Sequence, residues 1–503
     1  MRPILICGLL LLLGHSLWGQ YFPVLDYQKF YGKGGDDVPR AMYRTPDGFL
    51  IVGGNSEVRN PDGSAHRNVW VMKLDTLGDI YWERELFLPG EQELRDIERA
   101  YDGGVVFAGV SAPEEHPERG SEAFAGDFFM GKIDSMGQLT WTRTYGGHQL
   151  DQAFSLARGP YREYLLAGSA HSRNGDLTEN FGMSDIWLLK VDTRGKQRMS
   201  KSLGGTRADW ASSIAACRNG DYALAGFSNS PELANPPLGV LGNGVVMRLA
   251  QSGRTLWKRT FACPQGGYFT QLIEDQQGRL VLAGRIRKPG MQQQFWFMKL
   301  SAEGELLAER VFGSQGDDYL TSLAPCQDGG YLLGGYSTYS PDNPLSKGGD
   351  DFVLIRVDSL GEVIWRQNYG GPDQERCQAV IEYRPGVIYA IGEKVNDFSE
   401  SQGNRGKDYW LLRIEEMPCD SLQSEIFVRA PDFETRRDVR IRFKALHRYA
   451  QTFNWDFGDG THSEEEKPLK SFSLPGNYPI SLTIRNNESC SRTVRMKQEL
   501  KVR

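Results

Sequence analysis

Six carboxylates recur at one position of an internal repeat: Asp37, Glu93, Asp151, Asp209, Asp318 and Glu375, with Gly267 standing at the seventh. Each follows by six residues the last aromatic or aliphatic residue of a strand-like run. Like charges brought together at low local dielectric need a counter-charge, a proton or amide donors. A ligand set of oxygens alone, without His or Cys, suits calcium rather than zinc. The column is therefore the candidate ligand-binding ring, for calcium or for a cationic group of a ligand. Its structural alternative is bonding to neighbouring loop amides.

Four further columns read as structure. Lys73, Lys132, Lys190, Arg248, Lys299, Arg356 and Arg413 form a basic anchor, often followed two residues on by an acid, as in Lys73 with Asp75. Residues two apart on a strand share a face, so the expectation is an ion pair at the adjoining turn. Five residues before each anchor stand Asn68, Asp127, Asp185, Asn243, Gln294, Asp351 and Asp408, side chains suited to capping the backbone where a loop enters a strand. Trp70, Trp187, Trp296 and Trp410, with Trp82, Trp141, Trp257 and Trp365, recur at two repeat positions and are assigned to packing between sheets. No GxSxG, HExxH or P-loop motif accompanies them.

The elements that must position these columns repeat seven times, with a period near 57 residues. Each copy holds four short β-like runs, A to D. Tight Asx-Gly turns such as Asp47-Gly48 and Asp328-Gly329 predict two-residue hairpins between A and B, and turns such as Asp75 to Gly78 join C to D. Seven four-stranded meanders escape raw sheet edges by radial arrangement, which predicts a seven-bladed β-propeller. The seventh copy stops after its C run, whereas residues 27–31 match D runs such as 141–145, so the N-terminal strand is expected to close the last blade. A strands line the channel of a propeller, which would gather the acidic column near one mouth. The D-to-A and B-to-C links would emerge on that same face.

On these repeats, residues 26–416 resemble the secreted seven-bladed β-propellers common in Gram-negative bacteria of the Bacteroidetes type. Propellers host both enzymes and binding platforms, so the resemblance implies a fold and not an activity. After Met417-Pro418 the repeat ends. Phe453-Asn-Trp-Asp-Phe-Gly-Asp-Gly460 and the Pro475-Gly476-Asn477-Tyr478 turn resemble a polycystic kidney disease (PKD) domain. That resemblance implies an immunoglobulin-like β-sandwich acting as a non-catalytic spacer or adhesion module. Trp455 and Phe457 are expected to point inward, with Asp456 and Asp459 bonded within turns.

The fold class is thus all-β, divided into a signal peptide at 1–19, a propeller at 20–416 and a PKD-like sandwich at 417–503. With 58 Gly and 24 Pro, a helical bundle is excluded. Residues 1–20 combine Arg2, an apolar run and Gly19 in the order of a secretory signal, and Cys7 lies too early for lipid attachment. No later run is long enough for a membrane helix, which predicts no membrane insertion. A net charge of −6 without a basic run excludes nucleic acid as the expected partner. Cys419 and Cys490 are the pair open to bridging after export, and the other cysteines lack metal-ligand spacing.

The function expected is non-catalytic binding, adhesion or scaffolding in the periplasm or outside the cell, toward a glycan or a protein. Two alternatives stand beside it: a glycan-active hydrolase or lyase using two ring carboxylates, and a structural subunit of a cell-surface assembly.

Overall fold

A computed structural model describes residues 21–503 apart from 60–64, 113–125, 234–241, 264, 341–345, 396–405, 431–432 and 487–489. The segment expected to be a signal peptide and most of the longer B-to-C links lie outside the described residues. Contacts divide the chain into two compact units, Pro23–Glu416 and a second formed by Met417–Arg503 with Tyr21 and Phe22.

The first unit is a seven-bladed β-propeller built from seven four-stranded antiparallel sheets. Blade 3 shows the plan: Asp151–Arg158 (A), Glu163–Ala170 (B), Asp185–Asp192 (C) and Gln197–Leu203 (D), hydrogen-bonded in that order. The other A strands are Val38–Arg44, Glu91–Arg99, Asp209–Ala216, Gly267–Glu274, Asp318–Pro325 and Glu375–Arg384. Each touches the next, and Glu375–Arg384 touches Val38–Arg44, so the ring is closed. In blade 7 the outer strand is Tyr21–Tyr31, beside Lys407–Pro418. There Gln28 Oε1 accepts from Trp410 Nε1 at 2.9 Å, and the Phe30 ring stacks on Trp410.

The apolar core lies between blades. At one seam Phe128 and Met130 of blade 2 pack on Tyr164, Trp187 and Leu189 of blade 3, all buried. Trp70, Trp187, Trp296 and Trp410 occupy this layer, and all four bond their indole N–H to the D strand of their own blade. Burial of about 150–250 Å² per aromatic makes these seams the main stabilising contacts.

The tight turns differ from the expected two-residue hairpins. Thr45 N donates to Phe49 O and Gly48 N to Thr45 O, a three-residue loop with Gly48 at φ +85°. The same pattern closes the C-to-D turn from Asp75 to Asp79. The left-handed glycine comes third, as in a type I turn followed by a bulge. The basic anchors also differ from expectation, apart from Arg413, which pairs with Glu415 two residues on at 2.7 Å. Lys73 reaches Asp47 in the A-to-B turn at 2.8 Å, while Asp75 accepts the amides of Leu77 and Asp79 within its own turn. Lys132 pairs likewise with Asp102, and Arg356 with Asp328 at 2.5 Å.

The second unit is a small β-sandwich. Its sheets include Gln423–Val428 with Ile441–Arg448, and Thr452–Asp456 with Ser481–Asn486 and Cys490–Arg495. Trp455 and Phe457 are buried beside Phe443. Asp456 accepts Gly458 N at 2.9 Å, Asp459 accepts Thr461 N at 3.0 Å, and Lys470 pairs with Asp459. Cys419 and Cys490 form a disulfide, with Cα atoms 5.4 Å apart.

Candidate ligand-binding mouth of the propeller

A bulge in every A strand decides what faces the channel. It falls between Ala153 and Ser155 in blade 3, leaving Phe154 unpaired, and at the matching place in all seven blades. The bulge brings an A-strand carbonyl over a glycine in strand B. A Cβ on Gly168 would stand 1.8 Å from Gln152 O, and on Gly109 1.9 Å from Glu93 O. Only glycine leaves room for that close approach. Bulges re-aim side chains, and here the seven extra residues are Arg40, Arg95, Phe154, Ser212, Thr270, Thr321 and Gln378, all lining a central cavity of about 590 Å³. Charge is uneven around it. Arg40, Arg95, Asp96, Glu98 and Arg158 come from blades 1 to 3, whereas the lining residues of blades 4 to 7 are uncharged.

In blades 2 to 6 the residue after the bulge ties neighbouring blades together. Asp96 accepts Leu156 N, Ser155 accepts Ile214 N, Ser213 accepts Leu272 N, Gln271 accepts Leu323 N and Ser322 accepts Val380 N, at 2.5–3.2 Å. Ala41 and Ala379 hold this position in blades 1 and 7. Asp96 is pushed up to about 7 by burial.

The acidic column does not line this cavity, because its side chains turn back into the D-to-A loops. Asp37, Asp151, Asp209, Asp318 and Glu375 are fully buried. Each accepts the amide four residues earlier, from Lys33, Gly147, Gly205, Ser314 and Gly371 respectively. Asp151 also takes the amides of His171 and Ser172, Asp209 the hydroxyls of Ser228 and Ser230, and Glu375 the Lys394 ammonium at 2.9 Å. Burial raises the pKa of Asp151, Asp209 and Asp318 against these hydrogen bonds, and that of Asp37 to about 7. Among the described residues, no three His, Cys, Asp or Glu side chains come together to hold a metal ion.

Glu93 belongs to a different position. Strand D of blade 1 ends at Leu86, opposite Val69, so the exposed Phe87, six residues before Glu93, lies beyond it. Register places Gln92, opposite Ser111, where Asp151 stands opposite Ala170. Gln92 is buried and donates to Pro89 O and Gly90 O. Glu93 itself bridges Arg40 and Arg95, both at 2.9 Å, at the rim of the cavity.

The polar column on strand C mirrors the A-strand one. Asp185 accepts Phe181 N and Asp351 accepts Lys347 N, again from four residues earlier. The first glycine of the repeated Tyr-Gly-Gly phrase fits between the two columns. A Cβ on Gly146 would meet Asp127 Oδ1 at 2.4 Å and Asp151 Oδ2 at 2.9 Å, and on Gly370 it would meet Glu375 and Asp351.

One register position beyond the acids, a second feature spans blades 4 to 7. Trp210 stacks on Phe227, with ring centroids 4.0 Å apart, and meets Tyr268 edge-on at 6.0 Å. The Arg285 guanidinium lies 4.5 Å from the Tyr268 ring and 4.8 Å from that of Tyr319. Tyr319 stacks on Tyr336, and Arg376 covers Tyr336 at 4.8 Å. Trp210, Tyr268, Arg285, Tyr319, Tyr336 and Arg376 are all half-buried, so this crescent of ring edges and guanidinium groups meets solvent. The sequence signal was present: an aromatic or basic residue directly follows the column in Asp209-Trp210, Gly267-Tyr268, Asp318-Tyr319 and Glu375-Arg376.

Comparison with known proteins matches residues 435–502 to the PKD domain. The chain is 22% identical over 428 residues to the regulatory protein FlaEY of Caulobacter vibrioides, covering 73% of this chain and 43% of that one. It thus spans less than half the length of that curated relative. Among solved structures, the extracellular domain of the putative one-component system BT4673 from B. thetaiotaomicron aligns at TM-score 0.43 and 11% identity, over 96% of this chain and 58% of that one. The WD40 domain of Neurospora crassa Pan2 aligns at TM-score 0.46 and 10% identity, over 78% and 96%.

Proposed function

We propose that this chain is a non-catalytic extracellular binding protein that holds a glycan on the propeller mouth, with the PKD domain as spacer or second contact. The observation that carries the reading is the half-buried crescent from Trp210 to Arg376. Indole and phenol edges beside fixed guanidinium donors suit a pyranose, which offers C–H surface and hydroxyl or carboxyl oxygens together. The acidic column supports binding over hydrolysis. A glycosidase needs two carboxyl groups facing one cleft, whereas five of these six are buried against backbone amides and Glu93 is paired with Arg40 and Arg95. The Cys419–Cys490 disulfide fits an oxidising compartment beyond the cytoplasm.

The test is a screen of immobilised polysaccharides with the purified chain, repeated with Trp210→Ala and Tyr319→Ala. Binding by the parent chain, at least tenfold weaker in both variants at unchanged melting temperature, is the expected result. Release of new reducing ends would replace this reading with the hydrolase, and retention of no polysaccharide would end it.

A further inference from the structure

Blade 5 departs from its neighbours in the balance of charge. Its column position is Gly267, paired with Ile286 and followed across the sheet by Gln294, so the row that holds acids elsewhere holds none here. Strand B of blade 5 ends in Arg285-Ile286-Arg287, and Lys288 follows it. Arg287 has Asp317 at 3.5 Å, and Asp317 also accepts Gln293 N. In the same two rows of blade 7 the cations are Arg376 and Lys394, and both are compensated: Arg376 pairs with Asp350 and Glu393, and Lys394 with Glu375. Among the described residues no carboxylate lies in ion-pair range of Arg285.

Arg285 is nevertheless held. Its guanidinium is flanked by the Tyr268 and Tyr319 rings at 4.5 and 4.8 Å. Aromatic contacts take up the faces of the guanidinium plane and leave its N–H donors directed along the edge. A guanidinium fixed in this way and lacking a carboxylate of its own is organised for a planar two-oxygen acceptor, with less side-chain entropy to lose on binding.

We infer that Arg285 is the specificity-determining residue of the mouth and that the ligand is a uronic-acid polysaccharide, one sugar carboxylate bonding in plane to Arg285 between Tyr268 and Tyr319. This rests on the glycan-binding reading above and adds the ligand's charge. An acidic peptide would satisfy the charge alone. The ring edges running from Trp210 through Tyr268 and Tyr319 to Tyr336 suit a chain of pyranoses on either side of that carboxylate.

The experiment compares polygalacturonate and alginate with their full methyl esters, and with poly-glutamate, by calorimetry on the whole chain. The expected result is binding of at least one uronan, at least tenfold weaker binding of its ester, and a comparable loss in Arg285→Gln. Arg285→Lys keeps the charge without the fork and is expected to recover only part of the affinity. Thermal melting of each variant separates loss of the site from loss of the fold, and should either Arg285 variant be unfolded, Tyr268→Leu is the second probe. Equal binding of ester and acid, with Arg285→Gln unchanged, would overturn this inference while leaving glycan binding intact. Binding of neutral glycans alone would do the same. Binding of poly-glutamate in preference to both uronans, or of no polysaccharide, would overturn both.

Discussion

Asp185 of blade 3 and Asp209 of blade 4 converge on the backbone of Gly204 from opposite sides of one blade seam: a Cβ there would lie 2.1 Å from Asp185 Oδ1 and 3.0 Å from Asp209 Oδ2. Asp185 Oδ1 is buried with no hydrogen-bond partner among the described residues. Burial first, and then the Asp209 charge, push the Asp185 carboxyl up to about 6. The folded state therefore keeps a proton that the unfolded chain releases near 3.8. Its contribution to stability is complete below that value and is lost as pH rises through about 6.

Replacing Asp185 with Asn should remove this dependence. Blades 1, 4 and 5 already carry Asn68, Asn243 and Gln294 at the same position. An amide would place a donor beside Asp209 while its oxygen still accepts Phe181 N. Asp185→Asn is expected to gain roughly 1 kcal/mol at pH 7.5, allowing for solvent screening, and nothing at pH 4. Urea unfolding at the two pH values checks this, and equal effects at both would show that the carboxyl stays ionised.

Gly168 tests the link between the B-strand glycines and the A-strand bulge. A methyl group there meets Gln152 O at 1.8 Å and Ala153 Cα at 3.0 Å, both backbone atoms. Gly168→Ala should cost about 2–4 kcal/mol by forcing two strands apart. Gly103→Ala is the control for backbone preference alone, since nothing lies within 4 Å of its Cβ position and its φ is +88°. Thermal melting that ranks Gly103→Ala as the more damaging would refute the steric account.

What the sequence disclosed follows from what repeats. The Asp-x-x-Gly turns, the tryptophan columns and the lone D-like run at residues 27–31 recur in fixed register, so blade number and ring closure could be read directly. The direction of the carboxylates could not, because a bulge changes which face each A-strand residue presents, and a bulge leaves no mark in hydrophobic alternation. Glu93 shows the limit of counting. Phe87 extends the apolar run one residue past the last ladder pair at Leu86, and only register reveals that Gln92 is the matching position. Arg285 lay outside every column, since stacking between tyrosines of two blades joins residues about 50 positions apart.

Ring closure by the N-terminal strand gives another measurable outcome. Removing residues 21–31 takes away the Gln28 contact to Trp410, the Phe30 ring stacked on it and the Asp26 partner of Arg413. The C strand of blade 7 would become an open edge. The propeller transition should fall by more than 10 °C, with concentration-dependent association through that edge. Unchanged melting of a monodisperse truncated chain would disprove closure.

The seams on either side of blade 1 lack the hydrogen bond that Ser155, Ser213, Gln271 and Ser322 supply elsewhere around the channel. Ala379 holds that position in blade 7, and Met42 in blade 1 corresponds to Val380, which donates its amide to Ser322 at 3.0 Å. Ala379→Ser adds one oxygen at a site already 93% buried, in line with the Met42 amide. A new bond there is worth about 0.5–1.5 kcal/mol, against about 1–3 kcal/mol lost if the hydroxyl finds no partner. The reverse change, Ser322→Ala, should destabilise the seam between blades 6 and 7 by about 1 kcal/mol or more, because it leaves the Val380 amide without that acceptor. Stabilisation by Ala379→Ser together with destabilisation by Ser322→Ala is expected in denaturant unfolding. A loss in both variants would show that the seam beside blade 1 is closed by packing, with no place for the added hydroxyl.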